Sequence, residues 1–298
     1  MNPPNINTNI EVQYTLTCHL MGGLGNQLFQ IFAAISYAIR SENKFVFLNI
    51  DRLDTKRHTY WGTFLKNLKP FLRDSLEPNT EIIKQANFNY ADLDVRSMKV
   101  KNICIYGYFQ SCKFFVDNYD VICRLIGLKE HRDAVVEKTD VFKNQKSISL
   151  HFRLGDYTGI QHVHPIMPYE YYRRSLNAIT SQDCDAKQVF YFCEEEDVSL
   201  VFETICKLRY DFPMLEFARA PNELEDWEQM LMMSCCSHNV IANSSFSWWG
   251  AYFNSNPNKI VCYPSVWFGP MLSNRDTSDY HDTSDLCPNS WHKIQAVL

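Results

Sequence analysis

Residues 147–157 read SISLHFRLGDY. The stretch opens as an apolar strand and then places His151, Arg153 and Asp156 within six residues. In a strand, residues two apart share a face, so His151 and Arg153 point one way and Phe152 and Leu154 the other. A planar guanidinium at a strand exit is shaped for phosphate oxygens. The plain alternative is a structural ion pair between Arg153 and Asp156, a common arrangement. The sequence on either side bears on which of the two applies.

Downstream, short apolar runs at 189–194 (VFYFCE), 214–218 (MLEFA), 239–243 (NVIAN) and 259–264 (KIVCYP) read as strands. Helical spacing predicts helices over 168–180, 197–208, 223–237 and 246–254. The third is opened by a near capping box of Asn222 and Glu225. Strands alternating with helices imply βαβ crossovers and a parallel sheet. Upstream the chain begins in the same way. A strand over 15–21 leads into the turn GGLGNQ, a helix with apolar side chains from Leu28 to Arg40, and a short strand at 45–50. A strand over 102–109 and a helix over 112–127 follow, whereas residues 51–100 show no decisive period. A boundary is read near 128–146, where the chain runs KEHRDAVVEKTDVFKNQK. The expected organisation is an Asn- and Pro-rich disordered tail (1–13), an N-terminal doubly wound domain (14–140) and a C-terminal one (141–298).

The 298 residues are 46% hydrophobic and 21% charged, the composition of a soluble globular protein. A net charge of −5 without a basic block excludes a nucleic-acid surface but leaves room for a small anionic ligand. Eleven cysteines without a CxxC pair or a disulfide framework fit reduced thiols. The chain shows neither a signal peptide nor a long apolar run, so a cytoplasmic location without a transmembrane segment is expected. Metal signals are poor. His162 and His164 lack an obvious third ligand, and Asp92 and Asp94 have no preceding strand and read as a solvated loop.

Ligands of open α/β sheets bind beyond the carboxyl ends of the strands. Three unusual segments fall there: HFRLGDY, CEEED (193–197, with Glu194 at the strand exit) and NSSFSWW (243–249). The last puts Asn243, Ser244, Ser245 and Ser247 at a helix start, where free amides and the positive dipole end favour an anion. By itself such a group is an ordinary N-cap. Trp248 and Trp249 read as packing residues. Gly22, Gly23 and Gly25 in MGGLGNQ permit close backbone approach, but their spacing is neither a dinucleotide fingerprint nor a P-loop.

Together these segments resemble the alpha-1,2-fucosyltransferases of glycosyltransferase family 11. The similarity rests on GGLGNQLFQ, YGYFQS (106–111), HFRLGDY, FCEE, WEQMLMMSCCSHNVIANS and IANSSFSWWGAYF, in matching order from about Leu20 to Trp267. Where the family usually has His-x-Arg-Arg-Gly-Asp-Tyr, Leu154 replaces the second arginine. The resemblance implies a GT-B-like arrangement, two Rossmann-like domains facing across a cleft. The C-terminal domain would hold GDP-fucose and the N-terminal domain a galactose-ended glycan. It also implies inversion at the anomeric carbon with no divalent metal or other cofactor. Arg153 would clamp the β-phosphate, His151 would shape the diphosphate pocket, and Asp156 would orient Arg153 or contact the sugar. Asn26 would reach across the cleft. Gly23, Gly25, Glu194, Asn243, Ser244, Ser245 and Ser247 would complete the donor site. Asp156 and Glu194 are both candidates for the general base, and a dissociative path in which diphosphate takes the proton stays open. Two other readings remain: a protein O-fucosyltransferase-like enzyme, and a non-catalytic nucleotide-sugar or glycan binder.

Overall fold

The computed structural model describes residues 13–139 and 146–297. Apart from Gln13, the expected tail lies outside the described residues, and so does the expected boundary at 140/141. The first half runs β1 (Thr15–Cys18), α1 (Leu24–Ser41), β2 (Lys44–Phe45), β3 (Phe47–Leu48), β4 (Leu72–Arg73), β5 (Glu81–Lys84), α2 (Val95–Met98), β6 (Ile103–Tyr106), α3 (Tyr119–Ile126) and α4 (Leu128–Thr139). Four of its strands form a parallel sheet in the order β2-β1-β6-β5, and β3 pairs with β4 in a separate two-stranded sheet. The single strand expected over 45–50 is therefore split between two sheets. The helix expected over 112–127 starts as two 3-10 turns and becomes α-helical only at Tyr119.

The second half runs β7 (Lys146–His151), α5 (Tyr169–Thr180), β8 (Ala186–Phe192), α6 (Val198–Asp211), β9 (Glu216–Arg219), α7 (Asp226–Cys235), β10 (His238–Val240), α8 (Ser245–Tyr252), β11 (Val261–Pro264), α9 (Pro270–Ser273) and β12 (His292–Ile294). Its parallel sheet has the order β12-β11-β10-β7-β8-β9. The capping box of α7 lies three residues later than expected, with Glu225 as N-cap and its N–H donating to Glu228 Oε2 at 2.9 Å. The fold is α/β, built on two main parallel sheets and a two-stranded one. No helix among the described residues is long and apolar enough to cross a membrane.

Strand β7 explains how the second sheet is covered on both faces. Ile148, Leu150 and Phe152 enter a core with Tyr172 and Leu176 of α5 and Ile205 of α6. Ser147, Ser149 and His151 alternate with them and so face the side of α7 and α8. The small serines let α7 approach closely. Asn239 Nδ2 donates to both Ser149 Oγ and Met233 O at 2.8 Å.

The two halves meet along α8. Trp248 and Trp249 are completely buried, with ring centres 4.5 Å from Phe29 and 4.6 Å from Phe32 of α1 respectively. Trp249 Nε1 donates to Gly25 O at 2.9 Å. The charged stretch expected to separate domains contains α4, which packs on α7. Arg132 Nη2 donates to Ser234 O at 3.1 Å, and Lys138 pairs with Glu228 at 2.7 Å. One apolar core thus runs from α1 through α8 and α7 to β8.

Candidate active site

In both sheets the strand order reverses beside the first strand, between β1 and β6 and between β7 and β10. Crevices at such switch points are where open α/β sheets take ligands. The quoted motif lies at the second of them.

The ladder continues one residue past β7, with Phe152 N–H donating to Phe192 O at 2.8 Å. The chain then turns through Gly155, whose φ of +31° is unusual for a residue with a side chain. A Cβ there would lie 2.6 Å from Glu194 Oε2, so glycine lets the turn close onto the end of β8. Gly155 N–H also donates to Asp197 Oδ2 at 2.8 Å.

Arg153 is held in the middle of this turn. Nη2 donates to Asp156 Oδ1 at 2.6 Å and Nη1 to Glu194. Burial by itself would lower the arginine pKa, but Glu194 and Asp156 outweigh it and raise the value, so the guanidinium stays charged. Its carbon lies 5.2 Å from the ring centre of Tyr157. Tyr157 in turn stacks on His164 at 4.7 Å and donates its hydroxyl to Asn243 O at 3.2 Å. The exits of β7, β8 and β10 are thereby tied together.

His151 is buried with its ring 5.6 Å from that of Phe246, and its Nδ1 has no hydrogen-bond partner. Burial, and then the charge of Arg153, push its pKa down to about 3, so the imidazole is neutral. Opposite it, α8 begins at the N-cap Ser244, whose side chain makes no capping hydrogen bond. Ser247 Oγ donates to Ser244 O at 3.3 Å, and Ser245 is half-exposed.

The profile of Glycosyl transferase family 11 matches residues 12–273. The chain belongs to glycosyltransferase family 11. Two Escherichia coli relatives bracket the similarity. The O-antigen biosynthesis glycosyltransferase WbnK is 27% identical over 87% of this chain and 97% of its own length. An alpha-1,2-colitosyltransferase is 23% identical over 94% of this chain and 99% of its own. Among solved structures, a variant of Arabidopsis thaliana FUT1 in complex with GDP aligns with TM-score 0.48 and 9% identity, covering 84% of this chain and 70% of its own. The fucosyltransferase NodZ from Bradyrhizobium aligns with TM-score 0.46 and 11% identity, covering 80% and 92%.

In this family 11 glycosyltransferase, two residues expected at the donor are committed to the fold. A Cβ on Gly25 would lie 2.4 Å from Ser245 C and 2.6 Å from Phe246 N, so that face of the glycine is filled by the first turn of α8. Asn243 is buried, and its Nδ2 donates to Pro165 O at 2.9 Å and Trp267 O at 3.0 Å, anchoring two loops. Its Oδ1 has no partner. Helix α1 starts at Leu24, which puts Asn26 in its first turn and not in the preceding loop. Asn26 Oδ1 accepts from Gln110 Nε2 at 2.8 Å across the switch point of the first sheet.

Sequence reasoning did not find Arg57 at all. Its Nη2 lies 3.7 Å from Asp156 Oδ2, and its Nη1 3.7 Å from where a Gly23 Cβ would stand. Asp54, followed by backbone amides it can accept, was a turn signal. Nothing local said where that turn would point. Tyr60, equally unforeseen, donates its hydroxyl to Asp226 across the same interface.

Of the metal candidates, His164 joins the cluster by stacking on Tyr157, whereas Asp92 and Asp94 are engaged elsewhere. Asp92 lies in an exposed loop, where it accepts from both Arg40 Nη groups at 2.6 and 3.0 Å and from the Tyr37 hydroxyl at 2.9 Å. Asp94 caps α2. Among the described residues no three His, Cys, Asp or Glu side chains converge as metal ligands. A pocket of about 250 Å³ between Thr180, Ala186 and Leu215 opens at the amino ends of β8 and β9, the end opposite the chemistry.

Proposed function

We propose that the protein transfers L-fucose from GDP-fucose to the 2-hydroxyl of a galactose-ended glycan, with inversion and without a divalent metal. The observation that carries this reading is the permanently charged Arg153, held at the β7 exit opposite the start of α8. As the bond from the fucose anomeric carbon to the β-phosphate oxygen breaks, its electron pair stays with GDP. Arg153 and the first amides of α8 offer donors to the growing charge, the work a metal does elsewhere. The acceptor oxygen attacks the opposite face of the anomeric carbon. Its proton goes to Asp156 or Glu194, which flank Arg153, or to the departing diphosphate. His151, neutral and with Nδ1 unpartnered, can serve the diphosphate without adding charge.

A second donor has support of its own, because one relative is named an alpha-1,2-colitosyltransferase. Colitose is fucose lacking the 3-hydroxyl. A pocket that hydrogen-bonds that hydroxyl would reject the deoxy sugar strongly, whereas an apolar pocket would discriminate weakly. The deciding experiment offers GDP-fucose and GDP-colitose with a panel of galactose-ended glycans and a peptide control, in excess EDTA, and assigns each new linkage by NMR. A fucosyl-alpha-1,2-galactose product is expected. Its absence from every galactose-ended acceptor, or a strict need for added magnesium or manganese, would overturn the reading.

A further inference from the structure

We infer that Arg57, carried by the loop over residues 51–59 of the first half, is the second cation that receives the donor diphosphate. The inference rests on the GDP-sugar reading above and assigns a phosphate-binding role to a residue from the opposite half of the molecule.

The loop is built to aim this side chain. Asp54 Oδ1 accepts from Lys56 N at 2.7 Å and Arg57 N at 2.9 Å, and Leu53 N–H donates to Arg57 O at 2.9 Å. Thr59 Oγ1 closes the base by donating to Ile50 O at 2.6 Å. Buried Gln27 of α1 then fastens the loop to the glycine turn, with Nε2 donating to His58 O at 2.9 Å and Gly22 O at 3.1 Å. The guanidinium is thereby held beside Gly23, where there is no side chain to obstruct it, and directed at Asp156.

Charge then decides what it is for. Glu194, Arg153, Asp156 and Arg57 form a chain of alternating sign with no net charge. Without Arg57 the chain is left negative and repels a diphosphate. Arg153 is also the more committed of the two cations, since it already holds two carboxylates and its side chain is only 20% exposed. The Arg57 side chain is 40% exposed, and its 3.7 Å contact with Asp156 is longer than a hydrogen bond. It can turn to a phosphate at little cost. Negative charge on the diphosphate grows as GDP leaves, so the contact strengthens in the transition state and appears in kcat as well as in binding.

The test uses the full-length protein with Arg57→Ala and Arg57→Lys. GDP, GMP and guanosine are titrated calorimetrically, initial rates are measured with GDP-fucose, and melting temperatures are recorded on the same preparations. Arg57→Ala is expected to lose roughly 10- to 100-fold in GDP affinity and much less for guanosine, with the melting temperature nearly unchanged. Arg57→Lys should recover part of the loss. If the wild type binds GDP and Arg57→Ala binds it equally well, the inference fails while the donor reading stands. Equal losses for all three ligands together with a lower melting temperature would make Arg57 only a strap between the halves, and would also overturn it. A wild type that binds no GDP would bring down the donor reading and the inference with it.

Discussion

Arg153 poses a choice between serving the fold and serving the chemistry, and the exposure of its partners bears on the answer. The side chains of Asp156 and Glu194 are 49% and 47% exposed, so water can solvate both if the arginine is removed. Exposed ion pairs add little to stability. Arg153→Ala is therefore expected to melt close to the wild type while losing about 10²–10³-fold in turnover, the usual effect of deleting a preorganised donor. Arg153→Lys should restore only part, because an ammonium cannot reach two partners with a planar fork. Melting curves and initial rates on one preparation check both statements. His151 leads to a different expectation. Its folded-state pKa of about 3 lies below the ordinary 6.5, so the unfolded chain takes up the proton first. The stability that a neutral His151 contributes is complete above pH 6.5 and is lost as the pH falls toward 3. His131, His164 and His238 are also lowered, each chiefly by burial, and add to the same acid slope. Urea midpoints of His151→Gln, taken across this range, should fall less steeply than those of the wild type. An identical slope would assign the acid sensitivity to other groups, among them these three histidines and Asp183, whose carboxyl Lys146 holds down at about 2.

Helix α8 and the glycine turn are one packing unit, and two neighbouring glycines separate its needs. Gly25→Ala drives a methyl into the backbone of Ser245 and Phe246, which cannot move aside without shifting α8. A loss of about 1–3 kcal/mol is expected from overpacking of this kind, read as a lower urea midpoint. Gly23→Ala meets only Arg57 Nη1 at an ordinary 3.7 Å, and its φ of −78° suits any residue, so its stability should be unchanged. The contrast also shows what the sequence could reveal. The inner strands β7, β8, β10 and β11 were legible because they are largely buried on both faces, whereas the edge strand β12, with His292 and Lys293 exposed, was not read at all. Nor was β5, because it is an edge strand whose Ile82 is 64% exposed. α4 was hidden because its buried stripe is only Leu128, His131 and Val135, with a histidine standing where an apolar residue would have shown the period. Arg153, Asp156 and Glu194 could be grouped in advance, since all three lie at strand exits. Gly25 and Asn243 could not be resolved, because a sequence does not say whether a glycine's open face or an amide's donors meet a ligand or another part of the chain.

For the whole molecule, the shared core argues against independent halves. Removing residues 1–140 would uncover Trp248 and Trp249, both completely buried, together with the face of α7 that meets α4. A fragment starting at 141 is expected to aggregate or stay partly unfolded, and GDP binding is expected to need the full chain. Calorimetry of the intact protein should show one cooperative transition, with the calorimetric and van't Hoff enthalpies equal. Two resolved transitions would mean that the α1–α8 contact contributes little. The same contact limits recombination. Exchanging halves between two family members would join one protein's glycine turn to another's α8. A Gly25 carbonyl without its tryptophan partner, or a bulkier first turn beneath the glycine, would spoil the chimaera even if each half were sound. The two halves of this enzyme are thus inherited together, and a crossover between them would have to carry α1 and α8 as a matched pair.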